Sequence, residues 1–104
     1  MLLSDQIDDI MVERAARKLR ILTHPVRMSI IDLLMQSKGL RVSEIYNTLN
    51  IIQADASQHL TLLKEYGIIK KDRIDNKNVF LVNEKEYNKV LRLVDEVVKE
   101  FDND

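Results

Sequence analysis

Only three residues in this chain break regular structure strongly. Pro25, Gly39 and Gly67 are its whole complement of proline and glycine in 104 residues. A sandwich of short strands needs a turn signal roughly every 8–12 residues. Breakers this sparse exclude such folds and leave long helices with room for one small hairpin. Apolar residues make up 45% of the chain and charged residues 32%, which excludes bulk disorder. Aromatics are only 5%, so the core is built of Leu, Ile and Val. At this length a single domain spanning residues 1–104 with one modest core is expected.

The apolar spacing fills in the segments. Ile7, Ile10, Met11, Ala15, Leu19 and Leu22 recur at helical intervals and predict a first helix over 5–22. Its early acids and later bases suit the helix dipole. His24-Pro25 ends it, with His24 read as a capping or hinge residue. Pro25 opens a second helix over 25–37, because the first helical position needs no N–H. Val26, Ile30, Ile31, Leu33 and Leu34 form its buried stripe, and Gly39 is expected as its left-handed stop. A third helix runs over 43–49, with Ser43 as N-cap. Asn50, Ile51 and Ile52 make a tight turn into a fourth helix over 53–66, stopped by Gly67.

After Gly67 the period changes. GIIKKDRI alternates, DNKN is turn chemistry and VFLV is a second short strand, so residues 68–83 read as a hairpin. A final helix spans 84–101. The fold class is mainly α, in the order α-α-α-α-β-β-α. Helices three and four have helix-turn-helix proportions, and the hairpin behind them is a wing.

On a helical wheel at about 100° per residue, Ala56, Leu60 and Leu63 share one side of the fourth helix. Gln53, Ala54, Ser57, Gln58, Thr61 and Lys64 lie opposite, with Glu65. A helix entering a major groove needs short side chains that donate and accept at base edges, and this face has them. The wing adds Lys70, Lys71, Arg73, Asn76 and Lys77 as contacts to the phosphate backbone, and Arg41 and Ser43 extend them at the third helix. His59 falls at the edge of the apolar face and is read as a packed structural histidine.

The ends differ from the centre. Residues 14–83 carry a formal charge of +6, whereas residues 1–13 carry −4 and residues 84–104 carry −3. On the last helix Tyr87, Val90, Leu91, Val94, Val97, Val98 and Phe101 occupy an arc of about 160°, wider than capping a small core requires. With Ile7, Ile10 and Met11 of the first helix they are the expected homodimer interface. A two-fold dimer sets two reading helices about 34 Å apart, one turn of DNA.

Other chemistry is excluded by residue type. With no cysteine there is no disulfide, thiolate site or cysteine nucleophile, and the expected setting is the cytoplasm. The two histidines sit in different elements with no second His at i+3 or i+4, so no metal and no cofactor is expected. No apolar run approaches the ~20 residues of a membrane span, and the acidic start is unlike a secretory signal. No Ser-His-acid set or phosphate-cradling loop is present, so the chain is not read as an enzyme. A winged-helix protein-interaction module without sequence-specific DNA binding is the alternative.

These residues resemble the ArsR-type winged helix-turn-helix repressors of bacteria and archaea. The resemblance rests on Leu22, Thr23, His24, Pro25 and Arg27 at the second helix. It continues with Ser57, Leu60, Leu63 and Gly67 of the fourth helix, followed by the wing. It covers residues 20–83 in motif and the whole chain in element order. It implies a homodimer on the first and last helices that binds an inverted-repeat operator in double-stranded DNA and represses transcription. The family's sensing cysteines are absent here, and residues 84–101 hold no histidine. Asp75-Asn76 replace the usual wing-tip glycine, and Ile52 stands where a Ser or Thr cap is common. No residue pattern selects an inducer.

Overall fold

A computed structural model describes residues 2–102. The side chains of residues 2–8, 97 and 100–102 lie outside the described residues, and with them the expected interface side chains of Ile7, Val97 and Phe101. The elements are α1 (Leu2–Leu22), α2 (Pro25–Met35), α3 (Val42–Leu49), α4 (Gln53–Glu65), β1 (Ile69–Ile74), β2 (Lys77–Val82) and α5 (Glu84–Asp102). The order is the one the sequence predicts: a mainly helical winged-helix fold.

The helix ends carry most of the differences. His24 is extended, as a residue before proline must be, and its Nδ1 accepts the Val26 N–H at 3.2 Å, so it caps α2 as expected. The other end of α2 does not reach residue 37 or use Gly39. The helix closes at Met35, where the Ser37 N–H and hydroxyl both donate to the Leu34 carbonyl. Gly39 has a different task. Its φ is +115°, and a Cβ there would stand 2.9 Å from Val79 Cγ2 and 3.3 Å from Leu81 Cδ2. It lets the loop before α3 lie flat on the wing.

Ser43 is not the N-cap of α3. Arg41 is, and Glu44 reaches back to accept its backbone N–H at 3.0 Å. Asn50 closes α3 in the left-handed conformation, φ 54°, with the Asn50 and Ile51 N–H groups bonded to Asn47 and Tyr46. α4 ends one residue early, at Glu65. Gly67, φ +74°, then donates to Lys64 while Ile68 donates to Leu63. Those paired bonds reverse the chain directly into the wing.

β1 and β2 pair antiparallel, with Ile74 opposite Lys77 at the tip. Asp75 and Asn76 have φ of 51° and 63°, the backbone of a tight type I′ turn without glycine. The second strand therefore starts at Lys77, two residues before the VFLV run. Leu40 adds a bridge the sequence reading missed: its N–H donates to Phe80 at 3.1 Å, and the Phe80 N–H returns at 2.7 Å. Asn83 then bonds Ile68 and starts α5.

The core gathers Ile30, Leu34, Ile45, Leu60, Leu63, Ile68, Ile69 and Val90, all fully buried. Val90 was expected at a dimer surface but belongs to this protomer's own core. α1 and α5 pack on each other. The radius of gyration is 16.0 Å, within extents of 53 × 24 × 21 Å. About 13 Å is usual at this length, so the protomer is elongated.

Gly39→Ala should cost about 3 kcal/mol, because positive-φ strain and overpacking against Val79 add. Gly67→Ala meets nothing nearer than 3.9 Å, so it should cost only about 1 kcal/mol of backbone strain. Urea midpoints of the two variants check this, and equal losses contradict it.

Candidate nucleic-acid interface

The site starts from the underside of α4. Ala56, Leu60 and Leu63 are buried at 0%, 2% and 0% exposure. With that side held in the core, Gln53, Ala54, Ser57, Gln58, Thr61 and Lys64 all stand exposed, as the wheel predicts.

Two recesses flank the exposed face. One, of about 290 Å³, is lined by Ser57, Thr61 and Lys64 of α4 with Val42, Lys71 and Phe80. It brings α4 and the wing together, and the Lys71 ammonium sits 5.8 Å from the centre of the Phe80 ring. Strand alternation sets Arg73 and Asn78 on the same side of the wing as Lys71, and Asp72 on the other. The acids that dilute the wing's charge in sequence are thus partly separated from its bases in space. Asp72 Oδ1 instead accepts the Arg73 backbone N–H at 2.8 Å. Asn76 is exposed in the tip turn, with Lys77 beside it at the start of β2.

The expected contacts at α3 are less direct. Ser43 is half-buried inside the first turn of the helix. Arg41 is exposed, and its Nε pairs with Glu44 at 3.2 Å. The Arg41 backbone N–H and guanidinium hold the Glu44 carboxyl below its ordinary range, and Lys77 adds to this from the wing. Arg41 must leave Glu44 or share it to meet a phosphate.

The other recess lies between α2 and α4 and includes Arg27, Gln58, His59, Thr61 and Glu65. Arg27, which the sequence places in the motif of the second helix without a role, is a structural tie here. Its Nε donates to His59 Nδ1 at 3.2 Å, and another nitrogen donates to the Ile21 carbonyl at 3.1 Å. One guanidinium therefore ties the end of α1 and the back of α4 to α2. The His24 and His59 rings meet at 4.6 Å, tilted by 55°. Each Nδ1 accepts a hydrogen bond, so in the neutral rings each Nε2 carries the proton, which is not a metal-binding arrangement. Among the described residues no group of three His, Cys, Asp or Glu gathers that could hold a metal ion.

This geometry has known counterparts. A family model described as a helix-turn-helix domain matches residues 22–72. The transcriptional repressor PagR of Bacillus anthracis is 25% identical over 92 residues, covering 88% of this chain and 92% of its own length. An ArsR-like transcriptional regulator from Rhodococcus superposes with a TM-score of 0.75 at 18% identity, over 88% of this chain and 86% of that one. The chain carries a helix-turn-helix domain and has the winged-helix fold of that ArsR-like regulator. The curated relatives it matches are transcriptional regulators. The homodimeric winged helix-turn-helix domain of Mycobacterium bovis Mb0332 shares the regulator's fold, with a TM-score of 0.68 at 23% identity over 90% and 86% of the two chains.

A second surface lies on α1 and α5. Ile10, Met11, Leu19, Leu91 and Val98 are each between 40% and 51% exposed, and Met28 of α2 is 54% exposed. Tyr87 and Val94 are half-buried against the core. Leu19, Met28, Met35, Tyr87, Leu91 and Val94 contribute to an apolar cleft of about 670 Å³ between α1, α2 and α5. No helix among the described residues is long and apolar enough to cross a membrane.

Burial and the neighbouring His24 and Arg27 push the His59 pKa below its usual 6.5. The folded state thus favours the neutral ring. Its contribution is complete above pH 6.5 and is lost as pH falls through the folded value. Between pH 6.5 and 5, the urea midpoint of the native chain should fall more steeply than that of His59→Gln. Parallel profiles would count against the Arg27–His59 link.

Proposed function

We propose that this regulator is a homodimeric repressor that binds an inverted-repeat operator. In this reading α4 lies in the major groove, with Gln53, Ala54, Ser57, Gln58 and Thr61 toward base edges and Lys64 toward phosphate. The wing's Lys71, Arg73, Asn76 and Lys77 follow the backbone, joined by Arg41 and Ser43 at the start of α3. The observation that carries it is the shared recess of Ser57, Thr61, Lys64 and Lys71, where base-reading and phosphate-neutralising groups stand side by side. PagR is a repressor and supports that sense of regulation.

Dimerisation through α1 and α5 is supported by their exposed apolar side chains, by the elongated protomer and by the homodimeric Mb0332 domain. Ile10, Met11, Leu91 and Val98 are the central contacts, with Tyr87 and Val94 behind them. The acidic ends favour a second reading, a winged-helix interaction module. That module would bind an operator and a scrambled duplex equally.

Fluorescence anisotropy on the duplex upstream of the coding sequence, beside a scrambled duplex, separates the two. Gln58→Ala with Thr61→Ala should erase most discrimination between duplexes, a loss of about 2 kcal/mol or more at the altered positions. Lys71→Ala with Arg73→Ala should weaken both complexes alike and lower the salt slope by about 2. Undiminished discrimination in the first pair overturns the assignment of α4.

Leu91→Glu tests the dimer. Leu91 is 44% exposed in the protomer, so the fold should survive while a charge enters the interface. Light scattering should then report a monomer, and affinity for a two-half-site operator should fall at least tenfold. A dimer that persists unchanged would move the interface elsewhere.

A further inference from the structure

The turn entering α4 contains a side chain that neither folding nor ordinary capping explains. Ile52 is 70% exposed, the most exposed large apolar side chain among the described residues. It is the N-cap of α4, with extended backbone and no side-chain hydrogen bond. Ser, Thr, Asp or Asn would satisfy an amide there, and isoleucine satisfies none. Its neighbour Ile51 is half-buried, and the Ile51 N–H is bonded to Tyr46. The turn is therefore firmly held, with Ile52 left in solvent. Two residues on, Ala54 is also exposed on the reading face.

The rest of that end of the helix is equally selective in its chemistry. α4 has the sequence QADASQHLTLLKE and contains no arginine, the usual partner of guanine O6 and N7. Lys64 and Glu65 stand about 16–18 Å along the axis from Gln53, at 1.5 Å per residue. Asp55 sits on the flank, where its charge acts on His59. Gln53 and Gln58 offer carboxamides, which match the N6 and N7 edge of adenine. Thymine alone offers a methyl group in the major groove, and apolar side chains contact it.

We propose that Ile52, with Ala54, reads thymine C5-methyl groups, so that the half-site bases under the N-terminal end of α4 are A·T pairs. This rests on the DNA-reading role proposed above. Isoleucine at the cap gives up a capping bond and supplies an exposed apolar surface at the end of the helix that meets bases first.

The test begins with selection of binding duplexes from a randomised library, using the full chain. Each thymine of the selected site is then replaced in turn by deoxyuridine, which lacks only the methyl, and affinity is measured by anisotropy. The native chain should select adjacent A·T pairs within each half-site and lose about fourfold in affinity at one or two of the substitutions, the factor expected for one buried methyl. Ile52→Ser should fold with an equal or higher Tm, because it restores a capping hydroxyl, yet bind the thymine and deoxyuridine duplexes alike. Guanine–cytosine pairs in that part of the half-site, indifference of the native chain to every deoxyuridine, or an unchanged ratio in Ile52→Ser would each overturn the proposal. Selection of no sequence at all would instead overturn the DNA-reading role itself, and this inference with it.

Discussion

The rotation of α4 about its own axis is the constraint on which the rest of the molecule depends. Ala56, Leu60 and Leu63 are buried almost completely, and the helix cannot turn by one residue, about 100°, without exposing them and burying glutamine or serine. An unpartnered buried carboxamide or hydroxyl costs more than one lost apolar contact returns. The exposed face is thus chosen by what the opposite face must hide. The neighbouring elements then fix the tilt of the helix. Gly67 folds the chain so that the wing lies against α4, Asn50 sets the approach from α3, and Arg27 holds the back of α4 through His59.

The same division of labour separates the two surfaces of the molecule. The α4–wing side is firmly placed and chemically mixed, with short polar groups on the helix and ammonium and guanidinium groups on the wing. The α1–α5 side is apolar and open. Its exposed methionines, Met11, Met28 and Met35, are flexible and polarisable side chains. α2 joins the two sides, lining the apolar cleft with Met28 and Met35 and bonding to α4 through Arg27.

Much of this was legible in the residues. Apolar spacing located the five helices of the described residues, and the period change after Gly67 located the wing. The wheel of α4 separated its buried and exposed sides without error, because burial on a helix face is a local pattern. What was not legible was non-local. The Leu40–Phe80 bridge joins backbone groups forty residues apart, and no side-chain signal announces a backbone hydrogen bond. Gly39 reads as a helix stop because that is glycine's commonest use, whereas the space it leaves is for Val79, far along the chain. Ser43 reads as a cap by type, yet Glu44 reaching back to Arg41 sets the helix start one residue earlier. The pairing that occupies Arg41 and the burial of Val90 likewise depend on neighbours that only the folded chain supplies.

No polar or charged residue is buried among the described residues. A core of that kind has no hydrogen-bond partners to keep in step. Its positions need only apolar side chains of suitable combined volume, which can exchange with one another at modest cost. Lineages sharing this architecture are therefore free to drift almost everywhere inside. The 18% identity that accompanies a TM-score of 0.75 with the Rhodococcus protein is what such a permissive interior allows over long divergence. The few positions where backbone geometry or a specific bond is at stake, Gly39, Gly67, Arg27 and His59 among them, are where substitution should be slowest.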